Sequence, residues 1–161
     1  MEPPRLCCDA MLGGLARWLR FAGLDTTFSA NASDAELVAQ ARREERWLLT
    51  RDRRLAAKAG PRVLCIQALT VREQLREVQA RLRLAPDPAR FFTRCSRCNG
   101  VLEPVDRERV ATLVPPFVAT HASSFSRCAD CRRLYWPGTH HGRIVAQLRE
   151  SLDSGEDDGE R

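Results

Sequence analysis

Two Cys-X-X-Cys pairs in the second half of the chain restrict its fold more than any other feature. The pairs are formed by Cys95 with Cys98 and by Cys128 with Cys131. Each pair bends the backbone into a hook that turns two sulfurs toward one point, and four such thiolates make the tetrahedral cage that a structural Zn²⁺ prefers. Asn99 and Gly100 follow the first hook, and both residue types tolerate the positive φ that a tight turn requires. Two disulfides, or a thioredoxin-like redox pair, are the alternative interpretations of these cysteines.

The length and composition are typical of a soluble globular protein. With 161 residues, the chain has room for one domain of ordinary size and a smaller one. No segment approaches the roughly 20 apolar residues of a membrane span, and the first residues lack the apolar stretch of a secretory signal. We therefore expect a cytoplasmic protein without membrane contact, in which Cys7, Cys8 and Cys65 are reduced core residues and zinc is favoured over disulfides.

The charge of the chain favours a polyanionic partner. The formal net charge is +5 even though residues 153–161 are strongly acidic, and we expect that acidic tail to be disordered because it has almost nothing to bury. Lys58 is the one lysine among 26 basic residues. Arginine suits bidentate contacts with phosphate, but a coding bias toward G and C would enrich it as well, and both explanations remain open.

Strand-like and helix-like segments alternate through the first half of the chain. The predicted strands cover residues 5–8, 26–28, 47–50 and 62–66, and the predicted helices cover residues 11–22, 34–46, 53–59 and 71–82. Capping boxes, Ser33 with Glu36 and Thr70 with Glu73, mark the starts of two of these helices. The alternation predicts an α/β domain at residues 1–85 with a Rossmann-like parallel sheet and flanking helices. A linker around Pro86 and Pro88 then leads to a zinc ribbon at residues 90–142, and a short helix and the acidic tail fill residues 143–161.

Three aspartates are expected at the carboxyl edge of the predicted sheet, where parallel sheets bind their ligands. Asp9 ends the first strand, Asp34 begins the helix after the second, and Asp52 follows the third. Clustered carboxylates repel one another unless a cation compensates, and oxygen ligands suit Mg²⁺ or Mn²⁺. Such an ion supports phosphodiester hydrolysis. Each acid also has a structural interpretation, and this interpretation is weakest for Asp9: Asp34 suits a helix N-terminus and Asp52 an N-cap, whereas Asp9 has no evident local partner.

Arginines are predicted to border this edge and to contact phosphate. They are Arg17 and Arg20 on the first helix and Arg51, Arg53 and Arg54 around Asp52. A solvated surface is the alternative explanation. A phosphoaspartyl phosphatase would need an acid two residues after Asp9, and a receiver domain would need a lysine after a late strand, so neither pattern fits. His121, His140 and His141 all lie in the second half, where four thiolates already complete a zinc site.

With these residues in place, the chain resembles the mut-seven C-terminal RNase domain family, whose members join a PIN-like nuclease domain to a zinc ribbon. The resemblance rests on residues 9–20, 34–37 and 48–53, both cysteine hooks and residues 135–140. It implies a metal-dependent ribonuclease in which Asp9, Asp34 and Asp52 match three of the acids that PIN-like folds gather around Mg²⁺ or Mn²⁺. Arg54 occupies a position where many PIN domains carry a further acid, and Glu36 is the nearest counterpart of another, so one metal or two remain open.

The sequence therefore predicts a PIN-like domain that acts as an endoribonuclease on single-stranded RNA, followed by a zinc ribbon that aids RNA binding. Asp9, Asp34 and Asp52 would hold the catalytic cation, and Arg17, Arg20, Arg51 and Arg53 would orient the phosphates. Two other functions remain open. The chain would be an RNA-binding module if its nuclease site is degenerate, or a DNA nuclease, since a phosphate clamp does not distinguish the two sugars.

Overall fold

A parallel four-stranded sheet forms the centre of the first half of the chain. The computed structural model describes residues 1–85 and 87–152. The strands are β1 (Leu6–Cys8), β2 (Thr26–Phe28), β3 (Trp47–Thr50) and β4 (Val63–Cys65). They lie in the order β2-β1-β3-β4, and all neighbouring pairs are parallel. Central β1 pairs with both β2 and β3, so the segments that follow these three strands emerge side by side at one edge. This confirms the predicted α/β sheet.

Four helices connect and flank the strands. They are α1 (Gly13–Phe21), α2 (Asp34–Arg43), α3 (Arg53–Lys58) and α4 (Val71–Leu82). Both predicted capping boxes are present, so α2 and α4 begin where the local sequence indicates. The first helix differs from the prediction, because residues Ala10–Leu12 form a separate 3₁₀ turn before α1 begins.

Two hydrophobic clusters fill the two faces of the sheet. Side chains alternate along β1: Leu6 and Cys8 join the cluster formed with α1 and α4, and Cys7 joins the cluster formed with α2 and α3. In β3, Leu48 shares the second face with Cys7. Asp9 directly follows β1, and Thr50 is the last residue of β3. By the same alternation, both side chains point toward the face covered by α2 and α3.

A smaller antiparallel sheet carries the cysteines. Its strands are β5 (Leu102–Pro104), β6 (Ser126–Cys128) and β7 (Leu134–Tyr135), and two short helices, α5 (Arg107–Val110) and α6 (Pro116–His121), lie between β5 and β6. Residues 91–140, which contain this sheet and both hooks, are called the cysteine module below. The module has its own small core around Val110, Val114 and Phe125.

The last described helix, α7 (His141–Leu152), packs against the first half of the chain. Leu148 is fully buried in the cluster that contains α1 and α4, and Arg72 on α4 forms an ion pair with Glu150. The predicted disordered tail at 153–161 and Pro86 of the predicted linker lie outside the described residues. None of the described helices has the length and apolar character needed to cross a membrane.

Buried hydrogen bonds join the first hook to the parallel sheet. Arg20 on α1 is 5% exposed, and its guanidinium donates to the carbonyls of Thr26, Ser96 and Arg97. Asn99, also buried, accepts from the Thr26 N–H at 2.9 Å and donates to Asp25 at 2.7 Å. The cysteine module is therefore attached to the first half through polar contacts at the hook itself.

Candidate functional site

The four cysteines of the two hooks converge on one point. Their sulfur atoms all lie within 4.8 Å of one another. Across the hooks, the sulfurs of Cys95 and Cys131 are 3.7 Å apart and those of Cys98 and Cys128 are 3.4 Å apart, distances well beyond the ~2.05 Å of a disulfide bond. All four are free thiols in the structure. Their number, chemistry and closeness suit a metal ion such as zinc.

The backbone of each hook repeats the same geometry. The residue after each pair, Asn99 or Arg132, adopts a positive φ, of 73° and 64° respectively. The positive φ expected at Asn99 is therefore present. Gly100 serves a different purpose from the one expected: its φ is not positive, but a Cβ at this position would lie 2.7 Å from the sulfur of Cys128. Gly100 is needed because the second hook passes directly over it.

One thiol of the cluster is prepared for deprotonation. The Tyr135 hydroxyl lies 3.0 Å from the Cys95 sulfur. Burial raises the pKa of Cys95, but the hydrogen bond from Tyr135 and backbone N–H groups of Cys98 and Arg97 outweigh it and lower that pKa to about 6. Burial and the neighbouring thiols raise the pKa of Cys98. Metals bind thiolates, so Tyr135 supports the charge state that a metal requires.

Asp9 lies at the carboxyl end of β1 and is 6% exposed. One of its oxygens caps the 3₁₀ turn by accepting from the Met11 N–H at 3.0 Å, and the other accepts a hydrogen bond from the hydroxyl of Thr50. The absence of a local partner, expected from the sequence, is therefore corrected: Asp9 has two donors. The Thr50 hydroxyl also accepts from the Asp52 N–H at 2.9 Å, so one buried hydroxyl connects Asp9 to the loop after β3.

Asp34 and Asp52 face a shared depression between α2 and α3. Asp52 is the N-cap of α3, and one of its oxygens accepts from the N–H groups of Arg54 and Leu55 at 2.7 and 3.2 Å. Asp34 is the first residue of α2 and is exposed. The depression has a volume of about 650 Å³, and Asp9 lies outside its lining.

The three carboxylates do not converge as the four thiols do. Among the described residues, the cysteines are the one group of three or more potential metal ligands whose donor atoms meet. Asp9, Asp34 and Asp52 follow the strands at the carboxyl edge of the sheet, but Asp9 is connected only to Asp52, through the hydroxyl of Thr50 and the Asp52 N–H. Glu36 is engaged in the cap of α2, where its carboxylate accepts from the Ser33 N–H at 2.7 Å.

The arginines predicted to contact phosphate occupy three different environments. Arg51 and Arg53 flank Asp52 at the start of α3. Arg17 is exposed on α1, with its guanidinium carbon 5.4 Å from the ring centre of Phe21. Arg20 does not lie on the exposed surface that a phosphate contact requires, because it is buried and its guanidinium N–H groups donate to backbone carbonyls.

Three cations line the depression with Asp34 and Asp52. One of them, Arg54, was predicted to border this edge, and the other two, Arg42 and Lys58, were not predicted. Spacing could have indicated two of these positions, because Asp34, Val38 and Arg42 recur every four residues on α2, and Arg54 and Lys58 do so on α3. The depression therefore combines carboxylates that suit a cation with guanidinium and ammonium groups that suit phosphate.

Comparisons with known proteins place most of the chain in one family. A family model described as "Mut7-C RNAse domain" matches residues 4–148. The human protein named "Exonuclease mut-7 homolog" is 36% identical over 101 residues, which cover 59% of this chain and 12% of the relative. The chain thus spans a small part of that relative's length. No solved structure gave a significant match.

Proposed function

The chain belongs to the Mut7-C RNAse domain family, and from this premise we propose that it is a metal-dependent ribonuclease acting on single-stranded RNA. The observation that carries the proposal is the presence of Asp9, Asp34 and Asp52 at one edge of the parallel sheet in a chain of this family. Ligands of open parallel sheets bind beyond the carboxyl ends of the strands. We further propose that residues 1–85 form a PIN-like domain and residues 90–142 a zinc ribbon.

The carboxylates would hold Mg²⁺ or Mn²⁺, since hard cations prefer oxygen ligands. Their environments suit this role to different degrees. The Asp34 carboxylate has no hydrogen-bond partner among the described residues, and Asp52 has one carboxylate oxygen that the cap leaves unused. A cation bound to such a set lowers the pKa of a water molecule and neutralises charge on a phosphate.

The protein's own side chains would position the RNA. Thr50 helps to fix the orientation of Asp9 by donating to its carboxylate, so removal of the hydroxyl would leave this buried acid held by the Met11 N–H alone. Arg42, Arg54 and Lys58 surround Asp34 and Asp52 and would bind the phosphates on either side of the scissile bond. Arg51 and Arg53 would extend this contact at the start of α3.

The four cysteines would hold one structural Zn²⁺. Metal analysis of protein purified without chelator should find about one zinc per chain. Cys95→Ser should lower the zinc content and also the melting temperature of the parallel-sheet domain, because Arg20 and Asn99 attach that domain to the hook. A protein with an intact fold and almost no zinc would contradict this assignment.

The activity can be tested with one single-stranded sequence prepared as RNA and as DNA, each incubated with Mn²⁺, Mg²⁺ or EDTA. We expect cleavage of the RNA with Mn²⁺ or Mg²⁺ and none with EDTA. Binding without cleavage would favour the RNA-binding module, and preferential cleavage of the DNA would favour the DNA nuclease.

A circular RNA of the same sequence separates internal cleavage from cleavage at chain ends. An endonuclease opens the circle, whereas an exonuclease cuts only the linear form. The name of the human relative favours exonucleolytic cleavage as the second candidate, although this chain covers 12% of that relative.

A further inference from the structure

A second depression lies away from the acidic edge, between α1 and the cysteine module. Its volume is about 440 Å³. Among the residues that the structure describes, five aromatic side chains line it: Phe21, Phe91, Phe92, Tyr135 and Trp136. This aromatic groove is distinct from the depression between α2 and α3, because the two share none of their described lining residues.

The aromatic rings of the groove are held in fixed positions by mutual contacts. The ring centres of Phe21 and Phe92 are 5.7 Å apart, and Phe92 stacks on His141 at 4.4 Å. The guanidinium of Arg17 lies over the ring of Phe21. Trp136 is 37% exposed and packs against Phe125 of the module core at 6.3 Å. The groove thus presents preformed aromatic surfaces, so a flat ligand ring would bind without first ordering them.

The charged groups that line the groove are basic. Among the described residues, its charged lining side chains are Arg17 and Arg94, and no Asp or Glu lines it. Arg94 is 4.0 Å from Asp25 and is therefore partly compensated, whereas Arg17 forms no ion pair among the described residues. The groove accordingly suits a ligand that combines flat rings with negative charge.

We infer that the aromatic groove binds unpaired bases of a single-stranded nucleic acid, with a base against Trp136 and a neighbouring phosphate on Arg17. Every base offers a flat face for stacking, while the bases of a duplex are already stacked on their neighbours. A protein segment could fill an apolar groove, but it would not account for the uniformly basic lining. The inference rests on the proposed function for the identity of the ligand, and it supplies the single-strand preference that the acidic edge alone does not explain.

Binding should be measured in EDTA, so that cleavage does not interfere. The probes are a fluorescent single-stranded oligouridylate, an abasic oligonucleotide of the same length and charge, and a duplex. We expect the parent protein to bind the oligouridylate about tenfold more tightly than the abasic strand. A tenfold difference corresponds to the stacking free energy of about one base. Trp136→Ala should remove most of this difference and leave abasic binding unchanged.

Phe117→Ala is the matched control. Phe117 belongs to the same module, is 71% exposed and lies outside the groove, so its removal should leave all affinities at the parent level. Trp136→Phe keeps a ring and should keep most of the preference, which guards against a general effect of the substitution on folding. Arg17→Gln should weaken binding of the oligouridylate and the abasic strand alike and flatten the salt dependence by about one unit.

Two results would overturn the inference and leave the groove to another occupant such as a protein segment. In the first, Trp136→Ala binds all three probes as the parent does. In the second, the parent binds the oligouridylate, the abasic strand and the duplex equally. The outcome is separable from that of the proposed function. If the parent protein prefers the oligouridylate to the abasic strand but never cuts RNA, the inference about the groove stands and the ribonuclease is refuted. If the parent cuts RNA but Trp136→Ala binds all probes as the parent does, the ribonuclease stands and the inference about the groove is refuted.

Discussion

Replacing Arg20 tests whether its guanidinium binds buried carbonyls, as in the structure, or contacts phosphate, as the sequence predicted. Arg20→Met keeps most of the aliphatic stem and removes the guanidinium, which donates to the Thr26 carbonyl at 2.8 Å and to the Ser96 and Arg97 carbonyls at 3.1 Å. Thr26 is fully buried, so its carbonyl would lose a charged donor that water cannot replace. The other two carbonyls lie in a more exposed loop and can be rehydrated.

We therefore expect Arg20→Met to lower the free energy of unfolding by about 3 kcal/mol, mostly through the Thr26 contact. For a chain of this length, that loss lowers the melting temperature by roughly 6–12 °C. Thermal unfolding followed by circular dichroism measures it. Arg109→Met is the matched control, because Arg109 is exposed and its side chain forms no hydrogen bond or ion pair among the described residues. An unchanged melting temperature for Arg20→Met, together with weaker RNA binding and a flatter salt dependence, would show that Arg20 contacts phosphate instead.

Two further predictions concern buried polar contacts. Thr50→Val should destabilise the fold by about 1–3 kcal/mol and slow cleavage, because it leaves Asp9 without its hydroxyl donor. Thr50→Ser keeps the hydroxyl and should have the stability and the cleavage rate of the parent. Urea unfolding and cleavage rates measure the two effects. Burial raises the pKa of Asp25, but hydrogen bonds from Arg46 and Asn99 outweigh it and hold that pKa below its usual value of 3.8. The resulting stabilisation is complete above about pH 4 and is lost as the pH falls through the lowered pKa. The parent should therefore lose stability more steeply below about pH 4 than Asp25→Asn does, and equal slopes would contradict this.

Features set by local sequence could be predicted well. The capping residues Ser33 and Thr70 fix the starts of α2 and α4 through contacts three residues away, and both starts were found. The strand β3 runs from Trp47 to Thr50, as its short apolar run predicted. The cysteine hooks carry their own turn geometry, so the convergence of their sulfurs followed from spacing.

Features that depend on distant contacts were missed. The apolar residues Leu12, Leu15, Ala16 and Leu19 follow a helical spacing, and Arg20, eight residues after Leu12, continues this spacing. Such a position is on the buried face of an amphipathic helix. A charge there indicates a buried partner, but the partner carbonyls lie on residues 26, 96 and 97, which only the folded chain brings together. Likewise, a short helix after residue 142 was predicted, whereas its packing against α4 depends on the path of the whole chain.

The candidate site was predicted in part for the same reason. Topology places Asp9, Asp34 and Asp52 at one edge, and this needed only the order of the strands. The connection of Asp9 to Asp52 through Thr50 could not be deduced, because it depends on the register in which β1 pairs with β3, and this register places Asp9 beside Thr50. The lining of the depression by Arg42 and Lys58 depends on how α2 and α3 face each other.

The cleavage rate of Asp9→Asn on single-stranded RNA with Mn²⁺ tests the central claim most directly. Asparagine keeps the size of the side chain and can still accept from the Met11 N–H, so the fold should survive while the negative charge is lost. Asp106→Asn is the matched control, because the Asp106 side chain is exposed and makes no cap hydrogen bond. If the acidic edge is the active site, Asp9→Asn should cut at least about a hundredfold more slowly than the parent, and Asp106→Asn should cut at the parent rate. Cleavage by folded Asp9→Asn at the parent rate would show that the activity does not depend on this edge of the sheet.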